Sequence, residues 1–160
     1  NILAMHPQWM KFIGEQTILT PHMGEMSRLC GLDVSELKED PVARAYQYAE
    51  KSGGVLVLKD ACTVVTDRNE KLYLNLSGNS GMATAGSGDV LSGIIAAVLC
   101  MYLSCEEEQE LSYKAALAVY IHGLCGDIAR DKKGSHGMTA KDMIEALPEV
   151  LKLAEVQSKG

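Results

Sequence analysis

Residues 55–59 read VLVLK, four large apolar side chains in a row, entered through Gly53-Gly54. A strand that alternates can leave one face in water. A strand with no polar position must be covered on both faces, as strands inside layered α/β folds are. The flanking sequence agrees with such layering. QTILT at 16–20 reads as a short buried strand, and GEMSRLCG at 24–31 as a helix stopped by Gly31. Asp40-Pro41 supplies an N-cap and a first-turn proline for a second helix through VARAYQYAEKS, which Gly53-Gly54 ends. CTVVT at 62–66 and KLYLNL at 71–76 predict further strands joined by a turn at 67–69. The second half is helical in pattern over 89–103 and 109–131. Thr139 and Asp142 then form a capping box for a last helix, in which Pro148 predicts a kink or a restart. Strand-helix alternation followed by helices predicts an α/β sandwich with a largely parallel sheet. No repeat or linker-like run divides the 160 residues, and 47% hydrophobic residues suffice for a core, so a single unit is expected.

Charge and cysteine content narrow the functions open to such a fold. A formal net charge of −6, with no cluster of Lys and Arg, argues against a general polyanion binder, so nucleic acid is not an expected partner. Five cysteines are an odd number without a CxxC pair, and three of them sit among apolar neighbours where a reduced thiol acts as a small hydrophobe, which predicts a reducing cytoplasm. The longest apolar run, 90–103, is broken by Ser92 and Gly93 and is too short for a bilayer, so no membrane association is expected.

Chemistry concentrates in NSGMATAGSGDVLSG at 79–93. Glycines at 78, 81, 86 and 88 let the backbone take positive φ and approach a ligand closely. The helix predicted from Asp89 aims its unpaired N–H groups and positive dipole end at the same place. That combination is an anion hole. A carboxylate there is repelled by bound phosphate, and is useful where a proton must be taken as a phosphoryl group arrives. Asp89 as a dipole-favoured first-turn acid beside an ordinary loop is the plainer reading.

These residues, with others in the same order, resemble the ADP- or ATP-dependent NAD(P)H-hydrate dehydratases of the ribokinase-like superfamily. GNSGMATAGSGDVLSGIIAA at 78–97 is similar to the family's catalytic turn, and ILTPHMGEMSRL at 18–29 to its Thr-Pro-His-Pro-Gly-Glu segment. VLVLKDACTVV at 55–65 resembles its nucleotide strand, and YIHGLCGDIA with GMTAKDMIEALPEVL its closing helices. The resemblance implies a ribokinase-like three-layer sandwich with a mostly parallel sheet, residues 1–160 being the C-terminal part of the domain. Asn1 matches the end of the family's Asp-Ala-Asp-Ala-Leu-Asn segment. It further implies that Asp89 is the base that activates the hydroxyl of a hydrated nicotinamide ring, and that Gly86, Ser87 and Gly88 hold the transferring phosphate. Lys59, Asp60, Ala61, Cys62 and Thr63 would line the adenine nucleotide, and His22, Asn79 and Asp89 would contact hydrated NADH or NADPH. The hydroxyl is phosphorylated by ADP or ATP with Mg2+ as the nucleotide's partner, and phosphate then leaves. No dedicated metal site is expected. Met23 and Ser80 stand where the family usually has proline, Ala85 where it has glycine, and Asp60 where glycine commonly follows the lysine.

A parallel sheet cut within the domain exposes an edge, so a companion chain or a homo-oligomer is expected, and the family allows an epimerase domain in the parent protein. Other polar residues read more simply. His122 sits in a helix of mixed character and is expected to be packed and hydrogen-bonded. His6 and His136 share no metal-ligand spacing with any cysteine, and Glu25 reads equally as a pocket acid or an exposed first-turn acid. The run Glu106-Glu107-Glu108 reads as a solvated helix start. Two rival functions stay open: a superfamily kinase of a small alcohol, such as a thiazole or pyrimidine vitamin precursor, and a nucleotide-binding module without turnover.

Overall fold

A computed structural model describes residues 2–103 and 109–157, with side chains as far as residue 153. Asn1, Cys105, the acidic run Glu106-Glu107-Glu108 and the Ser-Lys-Gly tail lie outside the described residues. The elements are α1 (Ile2–Met5), a 3₁₀ turn (Pro7–Phe12), β1 (Ile18–Leu19), α2 (Met23–Cys30), α3 (Val34–Glu39), α4 (Pro41–Ser52), β2 (Val55–Leu58), β3 (Thr63–Thr66) and β4 (Leu72–Asn75). A second 3₁₀ turn (Ser80–Met82), α5 (Ser87–Tyr102), α6 (Leu111–Lys133) and α7 (Ala140–Gln157) follow. The chain divides into two compact units in place of the expected one. The first holds the residues up to Asn75 with Gln109–Ala116, and the second holds those from Leu76 to the described end of α5 with those from Leu117 on.

In the first unit the sheet runs β1-β2-β3-β4. All four residues of β2 are buried, as the unalternating sequence requires. Leu56, Leu58 and Val64 form one core with Met23 and Met26 of α2, Leu37 of α3, and Ala45, Tyr48 and Ala49 of α4. At about 1.5–3 kcal/mol for each large side chain taken out of water, this cluster is the main support of the unit. The helices are capped as the sequence predicts. Asp40 Oδ1 accepts the Ala43 N–H (2.9 Å), and Gly31 and Gly53 end α2 and α4 in the left-handed conformation. The expected parallel majority is corrected here. β1 and β2 are parallel, but β2/β3 and β3/β4 are antiparallel. The links at 59–62 and 67–71 are too short for a crossover, which takes a dozen or more residues, so each must be a hairpin. The second hairpin turns on Asp67, whose Oδ1 accepts from Asn69 N (2.8 Å) and Lys71 N (3.3 Å).

The second unit is helical. Cys125 and Ala129 of α6 close a core with Met143, Ala146 and Val150 of α7 and with Met138 ahead of it. Thr139 and Asp142 form the capping pair, with Thr139 N and Oγ1 donating to Asp142 Oδ2 at 2.8 and 2.7 Å. Pro148 neither restarts the helix nor ends it, for α7 runs through to Gln157. Its ring stands at an exposed position, while the buried Ala146 and Val150 on either side hold the backbone in the helix. No described helix is long and apolar enough to cross a membrane.

Candidate functional site

In the first unit, candidate residues gather at one edge of the sheet. β1 and β2 point their carboxyl ends the same way, and His22 and Lys59 form a parallel bridge just beyond them. In open α/β sheets this edge is where ligands sit. His22 is the N-cap of α2. Its Nδ1 accepts the Glu25 N–H (3.2 Å), and Glu25 Oε2 accepts the His22 N–H (2.9 Å), a reciprocal capping box. With Nδ1 used as acceptor, the ring's proton belongs on Nε2, which faces Glu25 Oε2 at 3.6 Å. The ring remains 55% exposed, so it is held in place and open to a ligand. Partial burial pushes the Glu25 carboxyl up, but the His22 N–H, the His22 ring and Lys59 outweigh it and hold the group below its ordinary range. Glu25 is therefore the cap that aims His22, a role its first-turn position fits.

Lys59 N donates to Pro21 O (2.8 Å), tying the end of β2 to the segment that carries His22. Asp60, Ala61 and Cys62 form the exposed turn of the β2–β3 hairpin, and Thr63 opens β3 with Oγ1 3.5 Å from Asp60 O. All five residues expected along the nucleotide lie in this one hairpin. Asn75, paired with Thr63, ends β4 at the same edge.

In the second unit, α5 begins two residues before Asp89. Gly86 is its N-cap in the left-handed region (φ 88°), and its carbonyl accepts from both Asp89 N (3.1 Å) and Val90 N (3.0 Å). A side chain is strained at that φ, and a Cβ there would also stand 3.2 Å from the Ala140 Cβ. A glycine N-cap brings no side-chain acceptor; with Ser87 N bonded to Thr84 O (3.3 Å) and Asp89 N to Gly86 O, the turn offers an outside anion the Gly88 N–H and the positive end of a 16-residue helix. Asp89 stands exposed at this mouth. Ser87 Oγ lies 3.4 Å from Nε2 of His122, which is buried in α6.

Asn79 is placed less simply. Its Nδ2 donates to Gly126 O (2.9 Å) and Asp127 Oδ1 (3.1 Å), while its Oδ1 accepts from Gly81 N (3.0 Å). The side chain is engaged with its own loop and with α6. Asp127 was not anticipated from the sequence. The available signal was an acid in the middle of a helix of mixed character, following two glycines three apart in HGLCGD.

The residues of the two units that carry these features also match known proteins. Residues 1–149 match the NAD(P)H-hydrate dehydratase family. The bifunctional NAD(P)H-hydrate repair enzyme of Thermofilum pendens is 46% identical over 136 residues, which cover 85% of this chain and 25% of that protein. The ADP-dependent (S)-NAD(P)H-hydrate dehydratase of Bacillus subtilis is 36% identical over 138 residues, 86% of this chain and 48% of that one. The solved structure of the ADP/ATP-dependent NAD(P)H-hydrate dehydratase from Bacillus subtilis, co-crystallised with ATP and Mg2+, matches with a TM-score of 0.76 at 34% identity, over 88% of this chain and 51% of that chain. A ribokinase-like superfamily protein from Enterococcus faecalis matches with a TM-score of 0.71 at 32% identity, over 87% of this chain and 45% of that chain. The chain thus spans between about a quarter and about a half of the length of these relatives. Its mixed α/β fold is the ribokinase-like one, and with a family match that runs from residue 1 to residue 149, this chain belongs to the NAD(P)H-hydrate dehydratase family.

Proposed function

We propose that this chain is the C-terminal part of a domain that dehydrates hydrated NADH and NADPH at the expense of ADP or ATP, returning the reduced nicotinamide. The observation that carries the reading is the Gly86–Asp89 turn: a left-handed glycine N-cap without a side-chain acceptor, with a carboxylate exposed at its mouth. Such a turn can hold a transferring phosphoryl group on backbone N–H while the carboxylate takes a proton. In this reading Gly86, Ser87 and Gly88 cradle the phosphate. Asp89 accepts the proton of the ring hydroxyl as that oxygen attacks phosphorus. The phosphate ester then eliminates inorganic phosphate, and the ring's double bond re-forms.

Lys59, Asp60, Ala61, Cys62 and Thr63 line the adenine nucleotide, and His22 and Asn79 face the hydrated dinucleotide. Mg2+ arrives on the nucleotide phosphates, where it offsets their charge. Among the described residues no three His, Cys, Asp or Glu side chains gather into a cage, and no residue here is assigned to the ion. The proposal includes a homo-oligomer, a cytoplasmic setting in which the described cysteines stay reduced, and an epimerase domain in the parent protein. The bifunctional relatives, of which the match covers a quarter, motivate the last. A small-alcohol kinase would use the same turn, and a silent nucleotide module would keep it without turnover.

The test is recovery of the reduced-nicotinamide absorbance from hydrated NADH, with Mg2+ and either ADP or ATP, by the full-length protein. Recovery with one nucleotide names the donor. No recovery with either removes the dehydratase reading and brings small-alcohol substrates forward.

A further inference from the structure

The chain approaches the Gly86 turn through residues 77–82, and this loop lies directly on α6. Ser77 Oγ donates to Tyr120 O (3.1 Å), and a Cβ on Gly123 would run into the Ser77 side chain and stand 2.8 Å from its carbonyl carbon, so the loop lies close against the helix at this glycine. One turn further along α6, the Asp127 carboxylate spans the loop. Oδ2 accepts the Gly78 N–H (2.9 Å) and Oδ1 accepts from Asn79 Nδ2 (3.1 Å), with Arg130 Nη1 3.4 Å from the same oxygen. Asn79 passes the constraint on, for its second amide hydrogen goes to Gly126 O and its own oxygen holds Gly81 N–H. The chain from Asn79 then closes through Met82 N to Asn79 O (3.1 Å), Ala83 N to Ser80 O (3.2 Å) and Ser87 N to Thr84 O (3.3 Å). At the far end His122, on the same helix, stands against Ser87.

We propose that Asp127 is a positioning residue: its carboxylate fixes the 78–82 loop on α6, and through that loop sets the Gly86–Asp89 turn in the geometry the reaction needs. The inference rests on the dehydratase reading for its kinetic consequence. It stands on the geometry for the rest. Two donors converge on Asp127 from the loop, and a carboxylate has an oxygen for each, whereas an amide has one oxygen and would turn an N–H toward a donor. Small displacements at a phosphoryl-transfer site reduce rate more than they reduce binding.

The experiment uses the full-length protein with Asp127→Asn, which keeps the size of the side chain and removes one acceptor oxygen. Asp127→Asn is expected to lower kcat by about 10- to 100-fold with the nucleotide KM little changed. A variant whose kcat stays within about twofold of wild type, or whose nucleotide KM rises by as much as its kcat falls, overturns the proposal. Should wild type itself fail to dehydrate hydrated NADH with either nucleotide, only the functional reading falls. Positioning is then judged by amide hydrogen exchange over 77–83, expected to quicken by about tenfold or more in Asp127→Asn. Unchanged exchange in the variant overturns it.

Discussion

Asp89 and Gly86 set opposing demands on one turn. Gly86 gives α5 an N-terminus open to an anion, and Asp89 places a negative charge at that opening. Removing the charge therefore separates binding from chemistry. Asp89→Asn is expected to lower kcat by roughly 10²–10⁴-fold, the contribution usual for a general base, while ADP or ATP binds as well as before or more tightly. Calorimetric titration beside the absorbance assay checks both halves, and retained turnover removes Asp89 as the base. Both residues were legible in the sequence because glycine spacing and a helix start are local signals. The role of Asn79 was not, because its partners Gly126 and Asp127 lie 47 and 48 residues away along the chain. A carboxylate that binds a distant backbone N–H leaves no periodicity to read.

At the scale of elements, the capping pairs make the helix starts titratable. Hydrogen bonds from the Thr139 side chain and backbone hold the Asp142 carboxyl below the usual range, with Lys133 and Lys141 adding to the effect. A carboxyl whose pKa is lower in the folded state contributes stability in full above its unfolded pKa, near 4, and loses it as pH falls through the folded value. Asp142→Asn should therefore lower Tm at pH 7, and the melting curves of variant and wild type should draw together below pH 4, as followed by circular dichroism. A gap that stays constant from pH 7 to pH 3 excludes the carboxylate as its source. Most elements were readable from such caps and from apolar runs. α3 was not, since six residues are too few for a helical period to register. The antiparallel half of the sheet was readable in principle, because the links on either side of β3 are hairpin length. The general expectation for alternating strands and helices pointed the other way.

At the scale of the whole molecule, a chain matching about half the length of a dehydratase relative carries the hairpin, the anion turn and both cores. The division into two units was not legible, because the break falls between Asn75 and Leu76, inside an apparently continuous strand-to-loop stretch. Leu72 and Leu74 are 46% and 51% exposed on β4, the last strand of the sheet. An edge strand with bare leucines favours pairing with another copy. Light scattering is expected to find self-association that Leu74→Lys reduces, whereas a monodisperse wild-type monomer at every concentration rules it out. Cys62 adds a different use. It is an exposed thiol at the end of the hairpin turn proposed to line the nucleotide, and Cys100, on α5, is exposed as well. The protein thereby carries its own chemical footprint. Alkylation by iodoacetamide, followed peptide by peptide, should slow at Cys62 when ADP or ATP is bound and continue unchanged at Cys100, so that occupancy can be measured without any turnover at all.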